Sequence, residues 1–190
     1  GVFASNTSTI PITSLAEKSI RPEKFIGIHF FSPVHKMKLV EIIKGEKTSP
    51  ETLAKAFDFV LKIRKIPIVV NDSRGFYTTR VFERYTLEGM ALLAEGNSAE
   101  SIESAGQKAG LPVGPLAVID EINIGLADHI REQTRRDLTE KGEKWSEEPW
   151  DKVIDIMTDK VKRLGRANGG GFYEYPENGK KYLWSDLKKY

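Results

Sequence analysis

The sequence of 190 residues contains no cysteine, which excludes disulfide bonds, thiolate metal ligands and cysteine nucleophiles. It also lacks an excess of one charge, because 29 Lys and Arg residues stand against 27 Asp and Glu residues. Nothing in the composition therefore calls for nucleic acid or an anionic membrane as a partner. No apolar run approaches the length that spans a bilayer. We expect a protein with no nucleic-acid partner, no membrane span and no metal site.

An initiating methionine is also missing, since the chain opens on Gly1, Val2 and Phe3, a pattern typical of the middle of a strand. We interpret this start as internal to a longer protein, so the lack of a targeting signal is uninformative. The length is enough for one sizeable core or for two small domains with a core each.

One stretch organises the chain, residues 25–44, with the sequence FIGIHFFSPVHKMKLVEIIK. It holds two short apolar runs, each interrupted by one ionisable residue, His29 or Glu41, and such runs predict strands. A hairpin that turns near residues 34–36 places His29 opposite Glu41. From these residues alone two interpretations stay open. The two side chains form either a structural polar pair or an acid–base pair that works near neutral pH.

The rest of the first part of the chain predicts alternating strands and helices. A strand over residues 1–5 leads into a polar loop at Asn6, the place where open α/β sheets bind ligands. A short helix over 12–18 precedes the hairpin, and a helix capped by Thr48 precedes a strand over 66–70. This order is typical of the latter half of a doubly wound sheet.

After Gly75 the pattern changes to consecutive helices and a short terminal strand. The helices are predicted over residues 77–94, 98–109, 115–122, 125–141 and 149–164. The glycine-rich stretch 165–171 follows a helix and precedes a strand, which predicts a tight turn and not a phosphate-binding loop. His35 and His129 are predicted to lie on the surface. We place the domain boundary at the composition change, between residues 74 and 75.

Six motifs now occur in one order along almost the whole chain: ASNTS at 4–8, GIHFFSP at 27–33, KLVEII at 38–43, GFYTTR at 75–80, PVGP at 112–115 and GFY at 171–173. This order resembles that of the L-3-hydroxyacyl-CoA dehydrogenases. The resemblance implies an α/β part followed by an all-α part. Residues 1–74 would be the C-terminal portion of a Rossmann-like NAD-binding domain, and residues 75–190 the helical domain that closes the acyl-CoA cleft and carries the subunit contact in dimeric members.

The same resemblance implies an activity and its residues. The enzyme would oxidise 3-hydroxyacyl-CoA to 3-ketoacyl-CoA with NAD in fatty-acid β-oxidation. His29 matches the family's general base, and Glu41 matches the acid that orients it. Ser8 matches a hydroxyl that binds the reacting oxygen, and Asn6 matches a residue near the nicotinamide ribose.

Several positions depart from the short, single-function members of that family. Ser32 and Thr79 stand where those members carry asparagine, and both keep a hydroxyl for the substrate. Here the chain looks more like the multifunctional enzymes that also hold an enoyl-CoA hydratase. Arg74 replaces a proline before Gly75. The sequence has neither the Gly-x-Gly-x-x-Gly turn for the dinucleotide pyrophosphate nor its acidic ribose partner.

These departures shape our expectations for the isolated chain. We expect it to be weakly active or inactive without the missing dinucleotide site. We expect either a homo-oligomer or a second helical repeat within a longer chain, and a location in the bacterial cytoplasm, with the mitochondrial matrix as the alternative. A non-catalytic helical interaction or dimerisation module with a structural His29–Glu41 pair is the alternative function. Another NAD-linked hydroxy-acid dehydrogenase is a third possibility.

Overall fold

The computed structural model describes residues 1–190, the side chain at position 137 excepted. The chain divides into two compact units, Gly1–Glu83 and Arg84–Tyr190. The first unit is a mixed sheet flanked by helices, and the second is helical with one small hairpin. The predicted fold class, α/β followed by all-α, is confirmed.

The sheet of the first unit has four strands in the order of the sequence: β1 (Phe3–Ser5), β2 (Phe25–Phe30), β3 (Leu39–Lys44) and β4 (Ile66–Asn71). Helix α1 (Ile12–Ala16) connects the parallel pair β1 and β2, and helix α2 (Pro50–Lys62) connects the parallel pair β3 and β4. Strands β2 and β3 form the predicted antiparallel hairpin. Its predicted register is confirmed, because His29 pairs with Glu41.

Alternation along the strands sends neighbouring residues to opposite faces of the sheet. On one face a cluster of buried residues joins the sheet to α2: Ile26, Ile28, Val40, Ile42, Ala56 and Val60. On the other face a second cluster joins the sheet to α1: Ile12, Ala16, Phe25, Ile43 and Phe76. The side chains of His29 and Glu41 share this second face by the same alternation. Gly27 allows the close contact with α1, since a Cβ atom there would lie 2.8 Å from Ile12.

The start of helix α2 differs by one residue from the prediction. Its N-cap is Ser49 and not Thr48, and the Ser49 hydroxyl accepts a hydrogen bond from the Thr52 amide at 3.2 Å. The Thr48 hydroxyl instead donates to the carbonyl of Phe25 at 2.7 Å. The local sequence pattern assigned the Thr48 hydroxyl to the helix, but this hydroxyl binds a strand carbonyl that is distant in sequence.

Asp72, just after β4, fixes the start of α1. Its carboxylate accepts hydrogen bonds from the amides of Ile12 at 2.9 Å and Thr13 at 2.7 Å. These amides lie in the first turn of a short helix whose N-cap residue, Pro11, makes no side-chain cap. Asp72 thereby supplies the missing cap and holds the downstream end of the loop between β1 and α1.

The second unit consists mainly of consecutive helices around one apolar core. Helix α3 (Thr78–Ala94) begins in the first unit, and α4 (Ala99–Lys108), α5 (Pro115–Ile122), α6 (Ile124–Glu140) and α7 (Pro149–Asp155) follow. These elements agree with the predicted helices, except that α7 passes into a π-helical turn (Ile156–Lys160) before position 164. A short hairpin of β5 (Tyr173–Glu174) and β6 (Tyr182–Leu183) follows near the C-terminus. Across the described residues, no helix combines the length and hydropathy that crossing a membrane requires.

The glycine-rich stretch forms the predicted tight turn. Gly165 and Gly170 exchange backbone hydrogen bonds of 2.9 and 3.1 Å. Next to them Asp120, which is buried, accepts from the amides of Phe172 and Tyr173 at 2.9 Å each. Any Cβ atom at Gly171 would collide with that carboxylate. On its other side Nε of Arg163 donates to the carbonyl of Gly171 at 2.8 Å. The turn is therefore packed against the protein's own side chains, as expected for a tight turn.

Replacing Asp72 with alanine tests the tie between β4 and α1. We expect the free energy of unfolding to fall by about 1–2 kcal/mol, because two helix-start amides lose their acceptor. Urea denaturation measures this change. Asp58→Ala is the matched control, since Asp58 is exposed on α2 and its removal should change stability by less than about 0.5 kcal/mol. Equal unfolding midpoints for the two variants would contradict the assigned role.

Candidate active site

The candidate site is built on the middle of the hairpin, where His29 and Glu41 meet. Nδ1 of His29 lies 2.8 Å from Oε2 of Glu41. His29 is 7% exposed and Glu41 is fully buried, at 0%. The strand register alone places the two residues directly opposite each other. A buried imidazole and a buried carboxylate thus satisfy one another inside an otherwise apolar sheet.

The Glu41 carboxylate has further partners at the start of α3. Oε1 accepts from the amides of Tyr77 at 3.0 Å and Thr78 at 2.8 Å. Oε2 also accepts from the Thr78 hydroxyl at 2.7 Å. The first amides of a helix have no partner within the helix and carry a partial positive charge. Glu41 therefore fills an anion site at the N-terminus of α3.

These contacts decide the charge of Glu41. Burial is the largest single influence and raises the pKa of the Glu41 carboxyl, but the hydrogen bonds from His29, Thr78 and Tyr77 together bring that pKa below its ordinary value. The carboxylate is therefore ionised at neutral pH and can only accept hydrogen bonds. It follows that Nδ1 of His29 carries the proton. In the neutral form of the ring, Nε2 of His29 is then the atom with a free lone pair, which is the atom that a base needs.

Two aromatic rings flank the imidazole. The Phe31 ring lies 4.5 Å and the Phe76 ring 6.2 Å from the His29 ring, measured between centroids. Phe76 is 1% exposed and adopts a φ of 48°, directly after Gly75 with a φ of 74°. These two left-handed residues reverse the chain between β4 and α3 and bring the first amides of α3 to Glu41. The positive φ of Phe76 is unusual for a bulky residue.

The loop after β1 lies beside this hairpin. Oδ1 of Asn6 accepts a hydrogen bond from the amide of Phe30, the neighbour of His29, at 2.9 Å. The Thr79 hydroxyl donates to the Ser8 carbonyl at 3.5 Å. The structure thus ties Asn6 to β2 next to the histidine and brings Ser8 to the start of α3.

Ser32 stands apart from these contacts, exposed at the start of the hairpin loop. Lys65 binds that loop, because its Nζ donates to the carbonyls of Val34 at 2.6 Å and Met37 at 2.7 Å. His35 in the same loop and His129 on α6 are both exposed, as predicted. All of the predicted site residues lie in the first unit.

Sequence reasoning did not identify Thr78 or Tyr77 as partners of Glu41. A signal was available, because a buried carboxylate needs several donors and the imidazole supplies one. The start of a helix is a common source of the others. The pattern nevertheless did not reveal which helix start lies next to Glu41, since that depends on the turn at Gly75 and Phe76.

No group of three or more histidine, aspartate or glutamate side chains suited to a metal ion occurs in the part of the chain that the structure describes. The site offers a buried imidazole, an ionised carboxylate beside it and a polar loop at the carboxyl end of a parallel strand. Such loops are where open α/β sheets hold nucleotides and their substrates. The arrangement suits proton transfer to and from a small oxygen group.

Comparison with known sequences agrees with this geometry. Residues 1–73 match the family model described as 3-hydroxyacyl-CoA dehydrogenase, NAD binding domain, and residues 75–175 match the model of its C-terminal domain. The fatty acid oxidation complex subunit alpha of Shewanella baltica (strain OS185) is 44% identical over 180 residues, which is 95% of this chain. The protein of the same name from Shewanella oneidensis is also 44% identical over 180 residues. The chain spans only 24% of the length of each of these relatives.

Solved structures give the same result. The (S)-3-hydroxybutyryl-CoA dehydrogenase of Ralstonia eutropha superposes with a TM-score of 0.79 at 33% identity, over 93% of this chain and 61% of that one. The 3-hydroxybutyryl-CoA dehydrogenase of Escherichia coli K12 superposes with a TM-score of 0.78 at 30% identity, over 94% of this chain and 37% of that one. The resemblance read from the ordered motifs is confirmed: the chain belongs to the 3-hydroxyacyl-CoA dehydrogenase family.

Proposed function

We propose that this chain carries the acid–base part of an NAD-dependent L-3-hydroxyacyl-CoA dehydrogenase of fatty-acid β-oxidation. In this proposal Nε2 of His29 removes the proton of the substrate's 3-hydroxyl group while hydride leaves the same carbon, and the product is a 3-ketoacyl-CoA. NAD, when bound, supplies the acceptor for that hydride. The observation that carries the proposal is the buried 2.8 Å contact between His29 and Glu41.

Glu41 has two tasks in this mechanism. By accepting from Nδ1 it keeps the imidazole in the tautomer whose Nε2 is free, and it fixes the plane of the ring. When Nε2 takes the substrate proton, the ring becomes positively charged, and the hydrogen bond from Nδ1 to the ionised Oε2 becomes an ion pair that stabilises the imidazolium. The apolar rings of Phe31 and Phe76 beside the imidazole strengthen that interaction, because little water screens it.

The polar residues around the pair complete the proposed site. We assign the Ser8 hydroxyl to the reacting oxygen, Asn6 to the nicotinamide ribose, and Ser32 and Thr79 to the acyl-CoA. The contact of Asn6 with the Phe30 amide supports its assignment, because it holds the β1 loop next to the base. These residues suit the nicotinamide end of a dinucleotide, while the sequence holds no Gly-x-Gly-x-x-Gly turn for its pyrophosphate.

The proposal extends to the organisation of the protein. We assign residues 1–74 to the NAD-binding part and residues 75–190 to the helical part, which would provide a subunit contact or pack against a second helical repeat. The relatives named above are bacterial proteins of a fatty acid oxidation complex. We propose the corresponding role here, in the cytoplasm of a bacterium, as part of a longer multifunctional chain.

Replacing His29 with alanine, in the protein with all the sequence that its gene encodes, tests the base directly. We expect kcat for NADH oxidation with acetoacetyl-CoA to fall by a factor of about 10²–10⁴, because general acid–base catalysis is lost. Absorbance of NADH follows the reaction. His35→Ala removes an exposed histidine from the neighbouring loop and should leave kcat unchanged.

A His29→Ala protein that folds and keeps its turnover would contradict the proposal. It would favour the alternative, in which the His29–Glu41 pair is structural and the helical part is an interaction module. Circular dichroism of the variant separates loss of catalysis from loss of fold.

The 190-residue chain on its own should turn over at least about 100-fold more slowly than the protein with its full encoded sequence, since positioning of a bound cofactor contributes factors of this size or larger. The same NADH assay, run on both proteins at equal concentration, measures the ratio. Equal rates would show that the chain binds the dinucleotide without a glycine-rich turn.

The pH dependence of stability tests the charge of Glu41. Its pKa in the folded protein is lowered, so its contribution to stability is complete above the pKa of the unfolded state and is lost as pH falls through the folded pKa. Urea unfolding between about pH 7 and pH 3 should therefore show a steeper loss for the natural protein than for Glu41→Gln. Parallel curves for the two proteins would mean that Glu41 is not ionised in the fold.

A further inference from the structure

Thr78 contacts the Glu41 carboxylate through two of its own groups. Its amide donates to Oε1 at 2.8 Å, and its hydroxyl donates to Oε2 at 2.7 Å. Oε2 is also the atom that receives Nδ1 of His29, at 2.8 Å. The Thr78 hydroxyl and the His29 imidazole therefore bind the same carboxylate oxygen, Oε2, and the Thr78 amide binds the other oxygen, Oε1.

This arrangement restricts where a proton can sit. The amides of Tyr77 and Thr78 can only donate, and together they occupy Oε1. The Thr78 hydroxyl occupies one of the two acceptor directions of Oε2. One direction remains, and Nδ1 of His29 points into it with its hydrogen. The carboxylate is thus held ionised, in one plane, with Oε2 directed at the imidazole.

We propose that Thr78 is a positioning residue for the base: its amide and hydroxyl fix the Glu41 carboxylate, and its hydroxyl shares the charge of Oε2 with Nδ1 of His29. The inference rests on the proposed function of His29. A buried carboxylate that shared its charge with no other donor would hold the imidazolium more tightly. An imidazolium held more tightly would give its proton back less readily, and the base has to lose that proton before it can act again.

Other charges around the pair are few. Strand β4, which pairs with β3 at Glu41, contains no ionisable residue, and neither does α1. Within β2 and β3 the other ionisable residue is Lys44, at the exposed end of β3. In the segment that leads into α3 and in its first turns, the ionisable side chains are those of Asp72, Arg74, Tyr77, Arg80 and Glu83. Asp72 is bonded to the α1 amides, and the other four residues are exposed. The Thr78 hydroxyl contacts the pair directly, and its removal leaves all of these ionisable groups unchanged.

Thr78→Val tests this role, because it removes the hydroxyl and keeps both the branched shape and the amide. Protein labelled with ¹⁵N in its histidines, without substrate or cofactor, is titrated by NMR. We expect the titration midpoint of His29 to rise by roughly half to one pH unit, since Oε2 loses a competing donor. Thr78→Ser keeps a hydroxyl and should stay close to the natural protein. His35 and His129, both exposed, serve as internal references that should not move.

A His29 midpoint that is unchanged or lowered in Thr78→Val would overturn the inference. Circular dichroism establishes that the variant is folded, and Thr78→Ala, which also lacks the hydroxyl, repeats the test if valine disturbs the start of the helix. In the protein with its full encoded sequence, the acid limb of the kcat/KM profile for 3-hydroxyacyl-CoA oxidation should move to higher pH by the same amount. The two proposals can fail separately. If the His29 midpoint rises in Thr78→Val but turnover survives in His29→Ala, the effect of Thr78 on His29 is retained and the proposed function is rejected.

Discussion

The first unit depends on keeping an ionised carboxylate in the middle of a sheet. Glu41 has no exposed surface, and an unpaired charge in such a place costs several kcal/mol. Three local structures remove that cost together: the hairpin register supplies the imidazole, the left-handed residues at Gly75 and Phe76 turn the chain, and the turn delivers the first amides of α3. Losing any one of them would leave the carboxylate short of partners.

The same constraint explains why the site combines rigid and adjustable parts. His29, the proposed base, and Glu41 lie on paired strands, where geometry is set by backbone hydrogen bonds. Of the polar residues proposed to meet cofactor and substrate, Asn6, Ser8 and Ser32 lie on loops, and Thr79 lies at the start of α3. Hydrogen bonds from or to Asn6, Asp72 and Lys65 hold those loops in place. Fastened loops on a rigid sheet are a common way to hold reacting groups in place while leaving room for variation in ligand.

Much of this could be predicted from the sequence, for physical reasons that also mark the limits. The strands and the pairing of His29 with Glu41 follow from short apolar runs on either side of a turn, and the helix ends follow from glycine, proline and serine. The predicted N-cap of α2 was wrong by one residue, because the hydroxyl of Thr48 donates to a strand carbonyl far away in sequence. Thr78 was missed because its contact depends on the positive φ of Phe76, which no periodicity or composition reports.

The His29–Glu41 pair therefore links the fold to the proposed chemistry, in which we claim that Nε2 of His29 is the base. The most direct test is a crystal structure of the protein with its full encoded sequence, bound to NADH and acetoacetyl-CoA. We predict that Nε2 lies within about 2.6–3.2 Å of the ketone oxygen at C3, the reach of a proton-transferring hydrogen bond, with Nδ1 still bonded to Glu41. An acyl group bound elsewhere, with Nε2 facing protein or solvent, would contradict the claim.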